Sequence, residues 1–307
     1  MKYRSILSLL VILMVVLCSF RAWAEADTPV ADAPKSIAVG VPQNVILISW
    51  DGLDRSVVKE LLEKEKLPNL AALIKEGSRQ DIDVKGHRTV TKPGHAEMLT
   101  GLAAEITGVY TNAEYRPIPE GYSIFEKLQK EFGGLDKIRC FMVTGKLAHV
   151  GGRGPDEITE KNKKNKKDKK ARKIAKEKNI TEAPPGADDA PKDAKEGEPF
   201  FLTKKNLDVF DAQQRNAEQT GPLCMKYLNK YKDPRYMAFL HFSDPDHAGH
   251  AHGSDSEEYR TAAVKCDIWL GKIVEWLKQE TLYEKTIIYV MTDHGFNQNS
   301  HNHSQSS

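Results

Sequence analysis

Three apolar runs that end in acidic residues or histidine constrain the fold of this chain more than any other feature. They are NVILISWDG at 44–52, RYMAFLHFSDPDHAGH at 235–250 and TIIYVMTDHG at 286–295. Continuous apolar runs of this length are typical of strands buried on both faces of a parallel sheet. Helical periodicity separates them, including an apolar stripe along 256–280. The pattern predicts an α/β fold in which a mostly parallel sheet is sandwiched by helices.

The N-terminal segment predicts export of the protein. Lys2 and Arg4 precede an apolar run, and Ala-Trp-Ala at 22–24 offers a cleavage site, so we interpret residues 1–24 as a secretory signal peptide. An uncut anchor is the alternative, although the run is short for a membrane-spanning helix. Residues 25–42 predict a flexible leader, and residues 43–307 predict a single α/β domain. The expected location is periplasmic or extracellular.

A basic segment interrupts the domain at about 151–199. Between Lys161 and Lys178 the chain holds 11 basic and 2 acidic residues, whereas the net charge of the whole chain is only +2, so the remainder is acidic. An acidic body with one basic segment does not predict specific nucleic-acid binding. We interpret 151–199 as a lysine-rich solvated insertion, and contact with an anionic surface is the alternative interpretation.

Acidic residues and histidines gather where the predicted strands end. Open α/β sheets bind ligands at the carboxyl ends of their strands, and here Asp51, the segment 244–252 and Asp293-His294 follow three of them. Seven of the ten histidines lie after residue 200, all in these tips or in the tail. Mixed aspartate and histidine ligands suit Zn²⁺, with manganese or iron as alternatives. An aspartate at a single strand end is more often a turn or cap residue, but three such tips predict a metal centre.

The segment TVTKPGHAEMLTG at 89–101 predicts a short helix with Thr91 at its N-terminal end. Pro93 suits the first turn of a helix, and Gly101 suits the position just past its end. The free N–H groups and the dipole at such a helix start favour an anion. Thr91 is therefore either a cap or a residue that reacts with a phosphate.

These segments together resemble the alkaline phosphatase superfamily, and most closely its type I phosphodiesterase and nucleotide pyrophosphatase branch. The motifs SWDGL, TKPGHAEMLTG, GVYTN, DPDHAGHAHG and TDHGF occur in that family's order. The resemblance covers roughly 44–112 and 236–303 and leaves the segment between them unmatched. It implies an alkaline phosphatase-like core and a secreted, metal-dependent hydrolase of small phosphoric esters with two zinc ions.

The resemblance also implies roles for individual residues. Thr91 matches the family's nucleophile, and Asn112 matches its phosphate-orienting asparagine. The implied ligands of one zinc are Asp51, Thr91, Asp293 and His294. The implied ligands of the second zinc are Asp246, His250 and a downstream histidine, either His301 or His303, of which the longer reach favours His303. The resemblance gives no role to four further histidines, His95, His241, His247 and His252.

Several functions remain open within this resemblance. Cleavage of diesters or pyrophosphates is the first interpretation. Monoester cleavage is the second, because no arginine has a clear phosphate-clamping position. The sulfatase branch is disfavoured, since it uses a modified Cys or Ser in a C/S-x-P-x-R context, and the phosphoglycerate mutase branch uses serine. The chain ends in a polar tail without a closing strand, so a truncated, catalytically weak binding protein is the non-enzymatic alternative.

Overall fold

The structure is a computed structural model that describes residues 42–159 and 196–303. The predicted signal peptide, almost all of the leader and the lysine-rich run lie outside the described residues. The strands are β1 Asn44–Trp50, β2 Arg139–Thr144, β3 Val209–Ala212, β4 Tyr236–Phe242 and β5 Thr286–Met291. The helices are α1 Arg55–Glu63, α2 Pro68–Glu76, α3 Thr91–Thr100, α4 Ala104–Thr107, α5 Ile124–Phe132, α6 Phe201–Lys204, α7 Ala217–Lys230, α8 Asp244–His252 and α9 Glu257–Gln279.

The five strands form one sheet in the order β3-β2-β4-β1-β5, and every neighbouring pair is parallel. Successive side chains of a strand point to opposite faces. In β1, Ile46 and Ile48 pack into one core and Leu47 into the other. Both faces of the sheet are therefore covered, which explains the uninterrupted apolar runs. The predicted α/β class, with a mostly parallel sheet between helices, is confirmed.

Helix α9 packs into the core on the face of the sheet that carries Ile46 and Ile48. The predicted apolar stripe is fully buried in the core, and its members are Tyr259, Ala263, Cys266, Leu270, Ile273 and Leu277. Ser256 caps the helix, because its side chain accepts a hydrogen bond from the Tyr259 amide. The stripe follows the three-to-four spacing of a helix that packs on a sheet.

The ends of the predicted solvated insertion are packed rather than solvated, as far as the structure describes them. Arg153 donates to Glu198 through its backbone amide at 2.7 Å and through Nε at 2.8 Å. Ile158 is 8% exposed, and Glu198 is 2% exposed. The boundaries at 151 and 199 are therefore too wide, because the residues next to them bury an ion pair and an apolar side chain.

No helix within residues 42–159 and 196–303 has both the length and the apolar character needed to cross a bilayer.

The structure also contains elements that the sequence pattern did not reveal. Strand β3 has only four residues and lies at the sheet edge, so all of them are half-buried. Helix α8 consists largely of Asp, His, Gly and Ala, which gives it no apolar stripe to recognise.

Candidate active site

The predicted ligand segments meet because the strands that carry them are neighbours. Strands β4, β1 and β5 are adjacent and parallel, so their carboxyl ends lie along the same edge of the sheet. Asp51 follows β1, helix α8 follows β4, and Asp293-His294 follows β5. Three segments that are far apart in the sequence thus form a single polar site.

The strand-tip cluster consists of Asp51, Asp293 and His294. Their ligand atoms lie within 4.8 Å of one another, and all three side chains have no exposed surface. His294 Nε2 lies 3.4 Å from Asp51 Oδ1 and 3.4 Å from Asp293 Oδ2. Thr91 Oγ1 lies 3.2 Å from the same nitrogen. The structure therefore brings together the four residues that the resemblance implies for one metal.

The helix-tail cluster consists of Asp246 and His250 on α8 and His303 in the tail. Asp246 Oδ1 lies 3.5 Å from His250 Nε2 and 3.6 Å from His303 Nε2, and the two nitrogens are 3.1 Å apart. Asp246 and His250 are four residues apart, so one helix face presents both. The third implied ligand sits here as His303, whereas His301 is exposed and its Nδ1 contacts the His250 carbonyl at 3.0 Å.

Backbone carbonyls orient the imidazoles of the two clusters. Nδ1 of His250 lies 2.7 Å from the His301 carbonyl, Nδ1 of His294 lies 2.9 Å from the Gly295 carbonyl, and Nδ1 of His303 lies 3.3 Å from the Thr89 carbonyl. A carbonyl only accepts, so each Nδ1 carries the proton and donates. In the neutral form of each ring Nε2 therefore carries the lone pair and faces the carboxylates, which is the tautomer that metal-binding histidines adopt.

The carboxylates leave two buried oxygens for a cation. Among the described residues, no hydrogen bond reaches Asp246 Oδ1 or Asp293 Oδ2. Imidazole nitrogens face both oxygens, with His95 Nδ1 3.2 Å from Asp293 Oδ2 and His250 Nε2 3.5 Å from Asp246 Oδ1, but without hydrogen-bond geometry. A buried carboxylate oxygen without a hydrogen bond is costly. A tetrahedral zinc with bonds of about 2.0–2.1 Å holds its ligand atoms roughly 3.3 Å apart, and the atoms around Asp246 Oδ1 are separated by 3.1–3.6 Å. The donor set and its spacing therefore fit a divalent metal.

Helix α3 places Thr91 against the strand tips. The helix begins at Thr91, which is 1% exposed, and ends at Thr100 before Gly101. Gly94 allows the close approach, because a Cβ at this position would lie 2.5 Å from the Asp293 carbonyl oxygen. The sequence Thr-Lys-Pro-Gly therefore brings a hydroxyl to the strand-tip cluster, whereas a larger residue at position 94 would push α3 away from Asp293.

Asn112 lies on the other side of the start of α3. Its Oδ1 accepts a hydrogen bond of 2.9 Å from the Lys92 amide, and this leaves its NH₂ group to donate elsewhere. Lys92 is 3% exposed, donates through Nζ to the Asn112 carbonyl and lies 3.8 Å from the centre of the Tyr115 ring. These contacts hold Asn112 beside Thr91 at the helix N-terminus, where an anion is favoured.

Two buried histidines support the strand-tip cluster from behind. His241 Nε2 lies 2.8 Å from Asp51 Oδ2, and the amide of Gly145 faces its Nδ1 at 3.2 Å. His95 Nδ1 lies 2.8 Å from the Thr91 carbonyl, and its Nε2 is 2.9 Å from Ser49 Oγ. Ligand atoms of Asp51, His95 and His241 also lie within 4.8 Å of one another. Hydrogen bonds engage both nitrogens of each ring, which suits orientation of Asp51 and Thr91 better than metal binding.

The sequence pattern missed Lys146, which lies in the centre of the site. The residue follows β2, the fourth adjacent strand, and is 5% exposed. Its Nζ is 2.7 Å from Asp246 Oδ2, 2.9 Å from Asp51 Oδ2 and 3.3 Å from Thr91 Oγ1. A lysine two residues past a strand carries no ligand signature, so only the order of the strands reveals its position.

The buried carboxylates make the site attractive to positive charge. Burial by itself lowers the pKa of His294, but Asp293 and Asp51 outweigh it and raise that pKa to about 9. For Asp51, burial raises the pKa, yet Lys146 and the neighbouring histidines hold it well below its usual value. At neutral pH the site therefore contains ionised carboxylates that need a counter-cation.

Two of the histidines without an assigned role lie outside these clusters. His247 contacts Gln214 at 2.6 Å and lines a surface groove with His252. Phe296, which follows the strand-tip cluster, lies beside the histidines of the helix-tail cluster. Its ring centroid is 5.2 Å from that of His250 and 5.1 Å from that of His303. The phenylalanine of the TDHGF motif therefore packs the imidazoles into place.

The chain is similar to several known proteins. Human bis(5'-adenosyl)-triphosphatase ENPP4 is 23% identical over 259 residues, which are 84% of this chain and 48% of that protein. The structure of murine ectonucleotide pyrophosphatase / phosphodiesterase 5 is 18% identical and has a TM-score of 0.49 over 82% of this chain and 57% of that one. A protein from a glycosaminoglycan-metabolising locus of Bacteroides thetaiotaomicron is 13% identical, with a TM-score of 0.50 over 85% of this chain and 63% of that one.

This chain spans about half the length of the curated relatives that it matches. Within it the correspondence is nearly continuous, because the sequence model of the type I phosphodiesterase / nucleotide pyrophosphatase family matches residues 45–306. The match runs from the first residues of β1 to the tail that carries His303. Because this match covers most of the chain, it establishes that the chain belongs to the type I phosphodiesterase / nucleotide pyrophosphatase family.

Proposed function

We propose that the protein is a metal-dependent phosphoric ester hydrolase with Thr91 as its nucleophile. The observation that carries the proposal is the position of Thr91 Oγ1, buried at the start of α3 and 3.2 Å from His294 Nε2 in the strand-tip cluster. Family membership favours small phosphodiesters or pyrophosphates as substrates. Monoesters are the second candidate class, and the lysine beside Thr91 favours them.

The strand-tip and helix-tail clusters are the proposed holders of two divalent metal ions, and their mixed nitrogen and oxygen ligands suit Zn²⁺. A bound metal would supply a lower pKa for the Thr91 hydroxyl and neutralise charge on the phosphoryl group. Asp51, Asp293, His294 and Thr91 are the proposed ligands at the first cluster. Asp246, His250 and His303 are the proposed ligands at the second.

Individual residues of the chain have different proposed roles in the reaction. Thr91 Oγ1 forms a bond to phosphorus while the bond from phosphorus to the leaving oxygen breaks, and water later releases the phosphate from Thr91. The helix N-terminus and the Asn112 NH₂ group donate to the non-bridging oxygens. His95 and Ser49 fix the backbone of Thr91, and His241 fixes Asp51, so the reacting groups are held before substrate arrives.

The direct test combines metal content with detection of the phosphorylated threonine. Purified protein should retain two zinc ions per chain and hydrolyse bis-p-nitrophenyl phosphate or p-nitrophenyl phosphate. Acid quenching during turnover should give a peptide containing Thr91 with the added mass of one phosphoryl group. Folded protein that holds no metal and turns over neither ester would support the binding-protein alternative instead.

We also propose that the protein acts outside the cytoplasm and does not bind nucleic acid specifically. The charged start, the apolar run and the Ala-Trp-Ala site of residues 1–24 support export. N-terminal sequencing of the protein isolated from its source should find a mature terminus near Glu25. An intact Met1 in soluble cytoplasmic protein contradicts this proposal.

A further inference from the structure

Lys146 is a buried cation that the proposed reaction has not yet used. Its ammonium group has three N–H donors, and three partners surround it: Asp51 at 2.9 Å, Asp246 at 2.7 Å and Thr91 Oγ1 at 3.3 Å. A lysine is ordinarily a cation at neutral pH, and this one lies between two carboxylates.

Hydrogen bonds fix the backbone around Lys146 and so determine the position of this lysine at the site. The Thr144 hydroxyl donates to the Lys146 carbonyl at 2.9 Å. The Gly145 amide donates to the His241 carbonyl at 3.1 Å, and the Gly145 carbonyl accepts from the Arg215 amide at 3.0 Å. Three neighbouring segments thus hold the two residues that follow β2 and direct the side chain along the strand tips.

The position of Lys146 leaves one oxygen of Asp246 able to bind a metal ion in the helix-tail cluster. The ammonium contacts Oδ2 of Asp246, whereas the orphaned Oδ1 of the same carboxylate faces the histidines of the helix-tail cluster. One carboxylate can therefore bind a metal through one oxygen and Lys146 through the other. In the strand-tip cluster the ammonium lies 3.0 Å from Asp51 Oδ1 and 2.9 Å from Asp51 Oδ2. It also contacts the nucleophile oxygen, to which the substrate phosphorus must bond.

We propose that Lys146 is a further catalytic residue, whose ammonium binds a non-bridging oxygen of the phosphoryl group that Thr91 attacks. This inference rests on the proposed function. An Nζ that lies 3.3 Å from Thr91 Oγ1 is within hydrogen-bond reach of the oxygens on a phosphorus bonded to that atom. Lysine commonly binds phosphate in this way, as a point charge.

The extra charge bears on the class of substrate. A phosphate monoester is largely a dianion at neutral pH, whereas a diester is a monoanion, so a fixed cation interacts about twice as strongly with the monoester. Lys146 therefore makes the site competent for phosphate monoesters in addition to the diesters and pyrophosphates that the family favours. It supplies the phosphate-clamping charge that no arginine of the sequence clearly offers.

The test compares Lys146→Gln with Lys272→Gln in the zinc-loaded full chain. Lys272 is a matched control because it is exposed on α9, against the ring of Trp269. In Lys146→Gln we expect kcat/KM for p-nitrophenyl phosphate to fall about 10²–10³-fold, the range for loss of a preorganised donor, and kcat/KM for bis-p-nitrophenyl phosphate to fall at least tenfold less. Calorimetric binding of inorganic phosphate should weaken, while zinc content stays unchanged.

Four results would overturn the inference. They are equal losses for the two esters, unchanged phosphate affinity, loss of zinc from the variant, and no phosphate binding by the wild type. Lys146→Arg is a second variant that keeps the test valid if the glutamine variant misfolds. It retains a cation and should keep part of the phosphate affinity. A wild type that binds phosphate but hydrolyses neither ester would refute the proposed function and leave Lys146 as a phosphate-binding residue.

Discussion

The strand-tip and helix-tail clusters lie side by side but are built differently. The side chains of Asp51, Asp293 and His294 have no exposed surface, and each follows directly from a strand at the centre or edge of the sheet. In the helix-tail cluster, the His250 side chain is 44% exposed, and His303 comes from a tail without regular structure. One cluster is fixed by the core, and the other depends on a loop.

Hydrogen bonds to α8 and to Ser254 hold that loop in place, and the ring of His303 stacks on that of His294 with 3.9 Å between the centroids. The Ser254 amide donates to the Ser300 carbonyl at 2.9 Å, and the Ser254 hydroxyl donates to the Asn297 carbonyl at 2.8 Å. His250 contacts the His301 carbonyl at 2.7 Å. Segments with few buried apolar contacts open locally at low free energy. The comparison teaches that two sites of similar chemistry should differ in how readily they lose a metal.

Replacement of the nucleophile at the strand-tip cluster should give the largest effect. Thr91→Ala should fold normally and lower kcat by about 10⁴-fold or more, the scale observed when a catalytic nucleophile is removed. Steady-state assays on both nitrophenyl esters measure the loss. Thr91→Ser restores a hydroxyl and should recover part of the rate. An alanine variant with near wild-type turnover would show that this mechanism is wrong.

Removal of the tail ligand should weaken one cluster and spare the other. His303→Ala deletes a nitrogen 3.6 Å from Asp246 Oδ1. We expect one zinc to be lost to a mild chelator while the second remains, with a fall in affinity beyond the roughly 10–100-fold typical of lost supporting hydrogen bonds. Zinc content after stepwise chelation measures the difference.

His301→Ala is the matched control in the same tail, because the His301 ring contacts the His250 carbonyl rather than the carboxylates. It should retain both metals. If the double variant that combines His301→Ala with His303→Ala keeps two tightly bound zinc ions and full turnover, the tail is not part of the site.

Loss of the support behind the strand-tip cluster should have a moderate effect. His241→Leu removes the donor to Asp51 Oδ2, so we expect metal affinity at this cluster to fall about 10–100-fold. Competition with a chromophoric chelator measures each site separately. His241→Gln retains a donor and should recover part of the affinity. Equal weakening of both clusters would indicate general loss of structure rather than lost orientation of Asp51.

The smallest effect is expected far from both clusters. Deletion of 161–178, or replacement of its basic residues by glutamine, should leave kcat and KM for nitrophenyl esters within error of the wild type. Binding to vesicles that contain anionic lipid should weaken, and the difference should disappear at high salt. Altered kinetics or loss of folding after the deletion would show that this run is part of the domain.

Much of the fold and of the candidate site could be predicted from the sequence because the features that determine it lie within short segments. The three apolar runs predicted β1, β4 and β5, and spacing within α9 predicted its buried stripe. The short edge strand β3 was not predicted, because four half-buried residues give no distinctive pattern. The proposed boundaries of the insertion were too wide because the contacts that pack its ends are not local. The ion pair between Arg153 and Glu198 joins residues 45 positions apart.

The sequence by itself determined which chemical groups are present and that they follow strand ends. Apolar runs, a helix start at Thr91 and the Asp and His motifs carry that information within short segments. Tertiary structure alone decided which groups meet. The order β2-β4-β1-β5 sets Lys146, Asp246, Asp51 and Asp293 along one edge. The tail places His303 rather than His301 beside Asp246. The physical reason is that strand order and loop path depend on packing between segments that are distant in the sequence. Residue type and local spacing carry no information about that packing.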